Sequence, residues 1–282
     1  MSTKPKVLVT GASGLLGGLA VEHLKHKYEF SALNRSRTAD SAHTKSPDLD
    51  DSIPWTQADI SDFEAMRPAF EGVDMVLHMA NYTADVESWE GHLNAGIIGT
   101  RNVYEAARLN GIKRIVFGST GDTMTGWESE APYGYLAAGK YDKAKWGWPM
   151  VDYTWPVRPN SLYGSCKVFC EALGRYYSDK FDISVLVIRL GAVLEPDAPV
   201  LRRHYCGWLG QKDYVSMVDK CLEAPMSIRY DTFDAISNNQ YKWRGTSHAS
   251  EVLGWEPQQS VEDHEINDPG GWHQVQSFHG EK

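Results

Sequence analysis

The sequence predicts an α/β fold: a doubly wound parallel sheet covered by helices on both faces, with a smaller and less regular part at the C-terminal end. Three observations predict it. Apolar runs of strand length alternate with amphipathic stretches, the pattern of a parallel sheet buried on both sides. The first run, Val7-Leu8-Val9, passes directly into a glycine-rich turn, Gly11-Ala-Ser-Gly14-Leu-Leu-Gly17, and from there into a helical pattern. The rhythm holds to residue 190 and then becomes irregular.

Taken in order, residues 6–10 read as the first strand, closed by the glycine turn, and 15–26 as the helix that the turn opens. Strands follow over 30–33 and 74–79, with a helix over 62–70 between them. A helix over 94–109 leads to a strand over 114–118, which ends in the hydroxyl pair Ser119-Thr120. The segment 121–160 breaks the pattern: it is rich in Gly, Pro, Trp and Tyr, and no regular element is expected in it. A helix over 161–181 and a strand over 184–190 restore the alternation. Beyond it, a helix over 212–222, a strand over 229–236 and a short helix over 247–253 are expected, and no internal repeat is present.

The chain has 282 residues and a net charge of -9, enough length for one large domain with a small appendage. Its acidity argues against nucleic acid or an anionic membrane as the main partner. No stretch approaches the roughly eighteen consecutive apolar residues of a membrane span. Residues 1–6 lead straight into the first strand and leave no room for a signal peptide, so a cytoplasmic location is expected. The four cysteines, Cys166, Cys170, Cys206 and Cys221, form no C-x-x-C pair and are expected as free buried thiols. Of the ten histidines, His23 and His26 lie three apart on a helix with no third ligand near in sequence, so no metal site is expected.

Two motifs carry chemistry. In Tyr163-Gly-Ser-Cys-Lys167 the phenol and the ammonium lie four residues apart on one helix face, where Lys167 would favour the phenolate of Tyr163 and fit it as a base near neutral pH. The glycine turn supplies what a dinucleotide pyrophosphate needs, backbone N–H groups in close approach at a helix N-terminus. Either motif alone has an ordinary explanation, a surface helix with a snorkelling lysine or a tight strand-to-helix corner. Their conjunction, in this order and with Ser119-Thr120 between them, reads as hydride transfer on a Rossmann-type fold. After the second strand, sites that prefer NAD place a carboxylate on the ribose 2′-hydroxyl, and NADP sites supply arginine instead. Here Asn34-Arg35-Ser36-Arg37 follows, without a carboxylate, and NADP is expected to be preferred, with NAD also used.

Val9-Thr-Gly-Ala-Ser-Gly-Leu-Leu-Gly17, Asp59, His78-Met-Ala80, the run NAGIIGTRNVYEAA from Asn94, Ser119-Thr120, Tyr163 to Lys167 and Ala249-Ser-Glu-Val-Leu-Gly-Trp-Glu-Pro257 together resemble the extended short-chain dehydrogenase/reductases, the NAD-dependent epimerase/dehydratase family. Within it the chain is most similar to uronate dehydrogenases, through Arg158-Pro-Asn-Ser-Leu-Tyr-Gly164, Ile188-Arg-Leu-Gly191, Trp208 and Asp213-Tyr214-Val215. The resemblance implies a dinucleotide-binding domain over 1–190, with 121–160 as an aromatic insert and candidate lid, and a substrate-binding region over 191–263. The tail 264–282, with Pro269-Gly-Gly271, is expected to be loosely packed.

The resemblance also assigns roles. Tyr163 would move the proton, Lys167 would lower its pKa and hold the nicotinamide ribose, and Thr120, with Ser119 before it, would bind the substrate oxygen; strand alternation lets only one of the two hydroxyls face the site. Cofactor contacts would come from Gly11, Ser13, Gly14, Leu15, Leu16, Gly17, Asn34, Arg35, Ser36, Arg37, Asp59 and Ile60 on the adenosine and pyrophosphate side. His78, Met79, Ala80, Asn94 and Arg189 would serve the remainder. Substrate contacts would come from Asn81, Thr120, Ala192 and Arg203, the last binding a carboxylate. Two departures stand out: uronate enzymes that prefer NAD carry Asp where Asn34 stands, and a hydroxyl residue where Ala192 stands. The insert's Trp127, Tyr133, Tyr135, Trp146 and Trp148 would stack on a sugar, pack on one another or form the contact of a homodimer. The expected activity is oxidation of an aldose or uronate at C1 to a lactone. Carbonyl reduction, epimerase or dehydratase chemistry with the cofactor recycled in place, and a non-catalytic dinucleotide sensor are the alternatives.

Overall fold

The computed structural model describes residues 4–38 and 50–266; of the expected tail 264–282, residues 267–282 lie outside them. Seven strands, β1 (Lys6–Thr10), β2 (Glu29–Asn34), β3 (Trp55–Gln57), β4 (Met75–His78), β5 (Arg114–Thr120), β6 (Ser184–Leu190) and β7 (Tyr230–Ala235), form one sheet. Their order is β3-β2-β1-β4-β5-β6-β7 and every neighbouring pair is parallel. The order reverses at β1, so the C-terminal ends of β1 and β4 flank a crevice, the place where such sheets hold ligands.

The helices are α1 (Leu15–Leu24), α2 (Phe63–Met66), α3 (Trp89–Gly91), α4 (Gly99–Leu109), α5 (Tyr133–Ala137), α6 (Leu162–Phe181), α7 (His204–Gly207), α8 (Gln211–Glu223) and α9 (Ser247–Leu253). Alternation along β1 sends Val7 and Val9 to one face and Leu8 to the other. Leu19 and Val21 of α1 and Met217 and Val218 of α8 pack on the first face; Val103 and Ala106 of α4 and Cys170 and Tyr177 of α6 pack on the second. All four cysteines are buried free thiols. Among the described residues no helix is long and apolar enough to cross a membrane.

The departures from the sequence-based elements have local causes. The expected helix over 62–70 is α2 capped by Asp62, whose carboxylate accepts the Ala65 N–H at 3.1 Å, followed by a 3-10 turn Arg67–Phe70 that begins around Pro68. The helix expected from residue 94 begins instead as a π-helical segment, His92–Ile98, before α4. Gly96 in that stretch lies against Cys166, and Gly99, which opens α4, lies against Ile60, where a Cβ would stand 2.6 Å from the Ile60 side chain.

The 121–160 segment is not structureless. It holds two 3-10 turns, Gly121–Thr123 and Thr125–Ser129, then α5, around an apolar cluster of Met124, Tyr133, Leu136 and Val151 that includes Cys206 and Trp243 from the last third of the chain. Val151 donates its N–H to the Trp243 carbonyl at 2.9 Å and accepts that of Gly245 at 2.8 Å. Its aromatics are occupied with one another: Trp127 stands edge-on to Trp155 at 4.9 Å, Trp146 stacks on Trp148 at 5.3 Å, Tyr135 lies under Lys143, and the Tyr133 hydroxyl donates to the Pro149 carbonyl. The segment is seated on the C-terminal part of the chain. That part in turn does two jobs, adding β7 and α8 to the main sheet and closing the other side of the pocket described next.

Candidate active site

The glycine turn follows β1 at the crevice. Gly11 has a φ of +76°, and a Cβ there would stand 2.7 Å from the Ala80 nitrogen; at Gly17 one would stand 2.7 Å from the Ala12 Cα. Both positions therefore need glycine for the fold itself. At Gly14 a Cβ would meet only the Gly11 carbonyl, at 3.3 Å, so packing is not what demands its bareness, and the position leaves room for the close approach of a ligand. The first turn of α1 carries no carboxylate to oppose an anion. These residues fit a dinucleotide pyrophosphate. Of the neighbours, Leu15 is buried and the Leu16 carbonyl accepts the Tyr214 hydroxyl at 2.9 Å.

Asn34, at the end of β2, is turned inward: its Oδ1 accepts the Ala12 N–H at 2.7 Å and its amide bonds the Ser13 hydroxyl. It braces the glycine turn. The Ser36 hydroxyl donates to the Thr38 carbonyl, the Arg35 carbonyl accepts from Gln57, and Arg37 meets Asp51 at 2.7 Å and the face of Trp55. Asp59 accepts the N–H and hydroxyl of Ser61 at 2.8 and 2.7 Å, and the buried Ile60 offers its carbonyl to Asn102.

At the end of β4 the sequence expectation needs correcting. His78 is wholly buried, its Nδ1 2.7 Å from the Thr10 hydroxyl and its Nε2 3.1 Å from that of Thr100. Burial, aided by the charge of Lys167, holds the ring neutral and its pKa down at about 3. It is a structural pin between β1, β4 and α4. Met79 and Ala80 follow it into the crevice, Ala80 against Gly11 and the Met79 sulfur against Gly118. Asn81 accepts its neighbour's N–H at 2.8 Å, and Asn94 is exposed on the π-helical segment.

Ser161 caps α6 by accepting the Gly164 N–H at 2.9 Å, and this fixes the helix on which Tyr163 and Lys167 stand. Lys167 is buried; its Nζ donates to the Gly118 carbonyl at 2.5 Å, over the Phe117 ring at 4.6 Å, and lies 5.8 Å from the centre of the Tyr163 ring. The expected depression of the phenol is not what this geometry gives. Burial and then the Asp122 carboxylate push Tyr163 well above its usual range, opposed by a hydrogen bond from Thr120. The lysine itself is held below its usual value by burial.

Of the hydroxyl pair, Thr120 lines the pocket described below and caps the turn that follows, whereas Ser119 points the other way and donates to Glu171 at 2.6 Å. The same carboxylate binds Arg189 in a buried fork, with contacts of 2.7 and 3.0 Å. Arg189 and Ser119 thus form a buried support beneath the site, and the expectation of Arg189 as a cofactor contact is corrected accordingly.

Next to Thr120 lies a pocket of about 250 Å³ lined by Asp122, Thr125, Glu128, Ala192, Arg203, Cys206, Trp243 and Arg244 among others. Ala192 and Arg203 both line it. Arg203, however, is already paired: its Nη2 lies 2.7 Å from Oε2 of Glu128. Arg244 pairs with Asp234 at 2.8 Å. A wider and more open depression of about 490 Å³, bounded by Trp148, Met150 and Lys242, touches none of the catalytic candidates. Sequence reasoning missed Asp122, Glu128, Arg244 and His92, whose ring lies 5.6 Å from that of Tyr163. Asp122 was within reach, two residues past a strand end at a site of this kind; the others come from remote segments with no local pattern.

Comparison with known proteins decides the family. Residues 7–203 match the NAD dependent epimerase/dehydratase family. The chain belongs to this family. It is an NAD(P)-dependent enzyme of the extended short-chain dehydrogenase/reductase type, and its relatives agree. It is 32% identical to the NAD-dependent glucose-6-phosphate dehydrogenase of Haloferax volcanii, over 89% of this chain and 92% of that one. It is 30% identical to the L-arabinose 1-dehydrogenase (NAD(P)(+)) of the same organism, over 89% and 96%. Among solved structures, the uronate dehydrogenase of Agrobacterium tumefaciens superposes with a TM-score of 0.73 at 29% identity, covering 95% of this chain and 92% of that one.

Proposed function

We propose that this protein is a sugar dehydrogenase that oxidises the C1 hydroxyl of an aldose to a lactone. The observation that carries the reading is Thr120 at the end of β5, on the wall of a pocket of about 250 Å³, with Tyr163 on α6, whose Lys167 bonds the Gly118 carbonyl of the same strand end. That volume falls below the roughly 300–1,000 Å³ of sites for drug-sized ligands, and suits a single sugar ring rather than a sugar nucleotide. This favours dehydrogenation over sugar-nucleotide epimerisation, and so do the activities named for the relatives.

NAD(P)+, when bound along the glycine turn, supplies the acceptor for the C1 hydride. Thr120 holds the anomeric oxygen through its hydroxyl, and Tyr163 Oη takes the proton from that oxygen as the C=O bond forms. Lys167, anchored to the Gly118 carbonyl, fixes α6, and with it Tyr163, against the end of β5. Burial and Asp122 hold the phenol above its usual range, so oxidation should become faster as pH rises.

We propose NADP as the preferred dinucleotide. Support comes from the missing carboxylate after β2, from the two arginines, Arg35 and Arg37, that follow it in sequence, and from Asn34 being committed to the glycine turn.

The test is a screen of aldoses, uronates and small ketones with NADP+ and NAD+, or with the reduced forms, followed by nicotinamide absorbance. Net NAD(P)H formation with an aldose, and a lactone as product, is the expected result. Turnover of a sugar nucleotide without net reduction of cofactor would overturn it in favour of epimerase chemistry.

A further inference from the structure

We infer that the pocket selects sugars with an uncharged end and turns away anionic ones, because its substrate-facing arginine, Arg203, is already neutralised from within by Glu128. The inference rests on the sugar-dehydrogenase reading and names the substrate class within it. Glu128 comes from the 3-10 turn Thr125–Ser129 of the insert, and only 8% of its side chain is exposed, against 31% for Arg203. The carboxylate thus lies beneath the guanidinium, on the side away from solvent.

An incoming carboxylate or phosphate would have two ways to reach Arg203. It would share the guanidinium with Glu128, two like charges on one partner, or it would displace Glu128 and leave a buried carboxylate without its counter-ion; both are strongly unfavourable. The other guanidinium on the pocket wall does not relieve this. Arg244 is held by Asp234 at 2.8 Å, both side chains buried, and also donates to the Arg189 carbonyl. Asp122 adds a further carboxyl on the pocket side, with no hydrogen-bond donor on it among the described residues. Three carboxyl groups, Asp122, Glu128 and Asp234, thus face two guanidiniums.

The same groups suit a neutral sugar. Carboxylates accept hydrogen bonds from hydroxyls, and Asp122, beside Thr120, lies where a ring hydroxyl next to the reacting carbon would come. Ala192 offers no polar side chain there, which leaves recognition to these acceptors and to the Arg203 edge. The turn that carries Glu128 is held in place: the Gly126 N–H reaches the Arg158 carbonyl at 2.6 Å, and Arg158 in turn pairs with Glu130 at 2.6 Å. In this account the insert delivers the specificity filter.

The test compares matched pairs, D-galactose with D-galacturonate and D-glucose with D-glucuronate, on wild type and Glu128→Gln, which keeps the shape of the side chain. Wild type should oxidise the neutral member with a kcat/KM at least about tenfold above its acid. Glu128→Gln should free Arg203, raise kcat/KM on the acids by about tenfold and lower it on the neutral sugars. Wild-type preference for the acids, or a ratio unmoved in a folded Glu128→Gln protein, would overturn the inference. Calorimetric binding of the same sugars to both proteins needs no turnover. If no sugar yields NAD(P)H, the dehydrogenase reading fails, and binding alone decides: tighter binding of the neutral sugars supports the filter, and equal binding, tighter binding of the acids, or no binding of either sinks it.

Discussion

Tyr163 illustrates how one residue's environment sets its chemistry. Its helix spacing to Lys167 is what the sequence displayed, but the ammonium is spent on the Gly118 carbonyl, while burial and Asp122 raise the phenol. Tyr163→Phe keeps the ring packing and removes the proton acceptor; turnover should fall by about a hundredfold or more while dinucleotide binding, measured by fluorescence titration, stays the same. Lys167→Met should lose both. An active Phe variant would mean that another group moves the proton. For the raised phenol, oxidative kcat/KM should climb through the alkaline range and flatten in no variant that retains Tyr163. At the 2′-position, NADP should be favoured over NAD by about 1–3 kcal/mol, the worth of charge-assisted hydrogen bonds to a phosphate. Arg35→Leu combined with Arg37→Leu should erase that preference by weakening NADP alone; a wild type that binds NAD more tightly would show that these arginines serve the surface.

At the level of elements, what the sequence displayed well was whatever is local. β1, β6 and α9 end where their patterns end, and α6 begins at the Ser161 cap, because period, cap and glycine turn act within a few residues. β3, the short strand before Asp59, has only three residues, Trp55–Gln57, too few for alternation to fix its bounds. The insert escaped notice because its core is assembled with Cys206 and Trp243, distant in sequence, and the Glu128–Arg203 pair escaped for the same reason. Arg114 belongs with these. It opens β5 yet is 1% exposed, and its guanidinium reaches the carbonyls of Cys221, Leu222, Ala224 and Pro225 at the end of α8, together with the Ser184 hydroxyl. A cation here satisfies helix-end carbonyls and meets the negative end of the helix dipole, so the strand start locks α8 to the sheet. Arg114→Met should leave those carbonyls buried and unmet and cost about 3 kcal/mol, lowering the melting temperature by roughly 5–10 °C. A melt within about 1 °C of wild type would mean that water replaces the guanidinium there.

Across the whole molecule, the catalytic crevice and the stability of the sheet share their buried polar groups. Thr10 and Thr100 hold His78 neutral between β1, β4 and α4, and Ala80, which packs against the glycine turn, donates its N–H to the same Thr10 hydroxyl at 3.2 Å. The pin that orders the crevice is therefore also an acid-sensitive joint. The ring's pKa is about 3 in the fold against about 6.5 in the unfolded chain, so between those values the unfolded state binds a proton that the native state refuses. The His78 contribution is fully present above pH 6.5 and is withdrawn as pH falls toward 3, by up to about 1.4 kcal/mol per unit. Asp122, Glu128 and Asp234 act with the opposite sign, since burial raises each of them and their protonation relieves the native state on acidification. The histidine is separable from them by substitution. His78→Gln keeps a hydrogen-bonding side chain without a proton to gain in this range, so it should be less stable than wild type at pH 7, and the gap should close by about 2 kcal/mol by pH 5. Urea unfolding of the two proteins at both pH values measures it, and a gap that stays constant would show that His78 is not the group that takes up the proton.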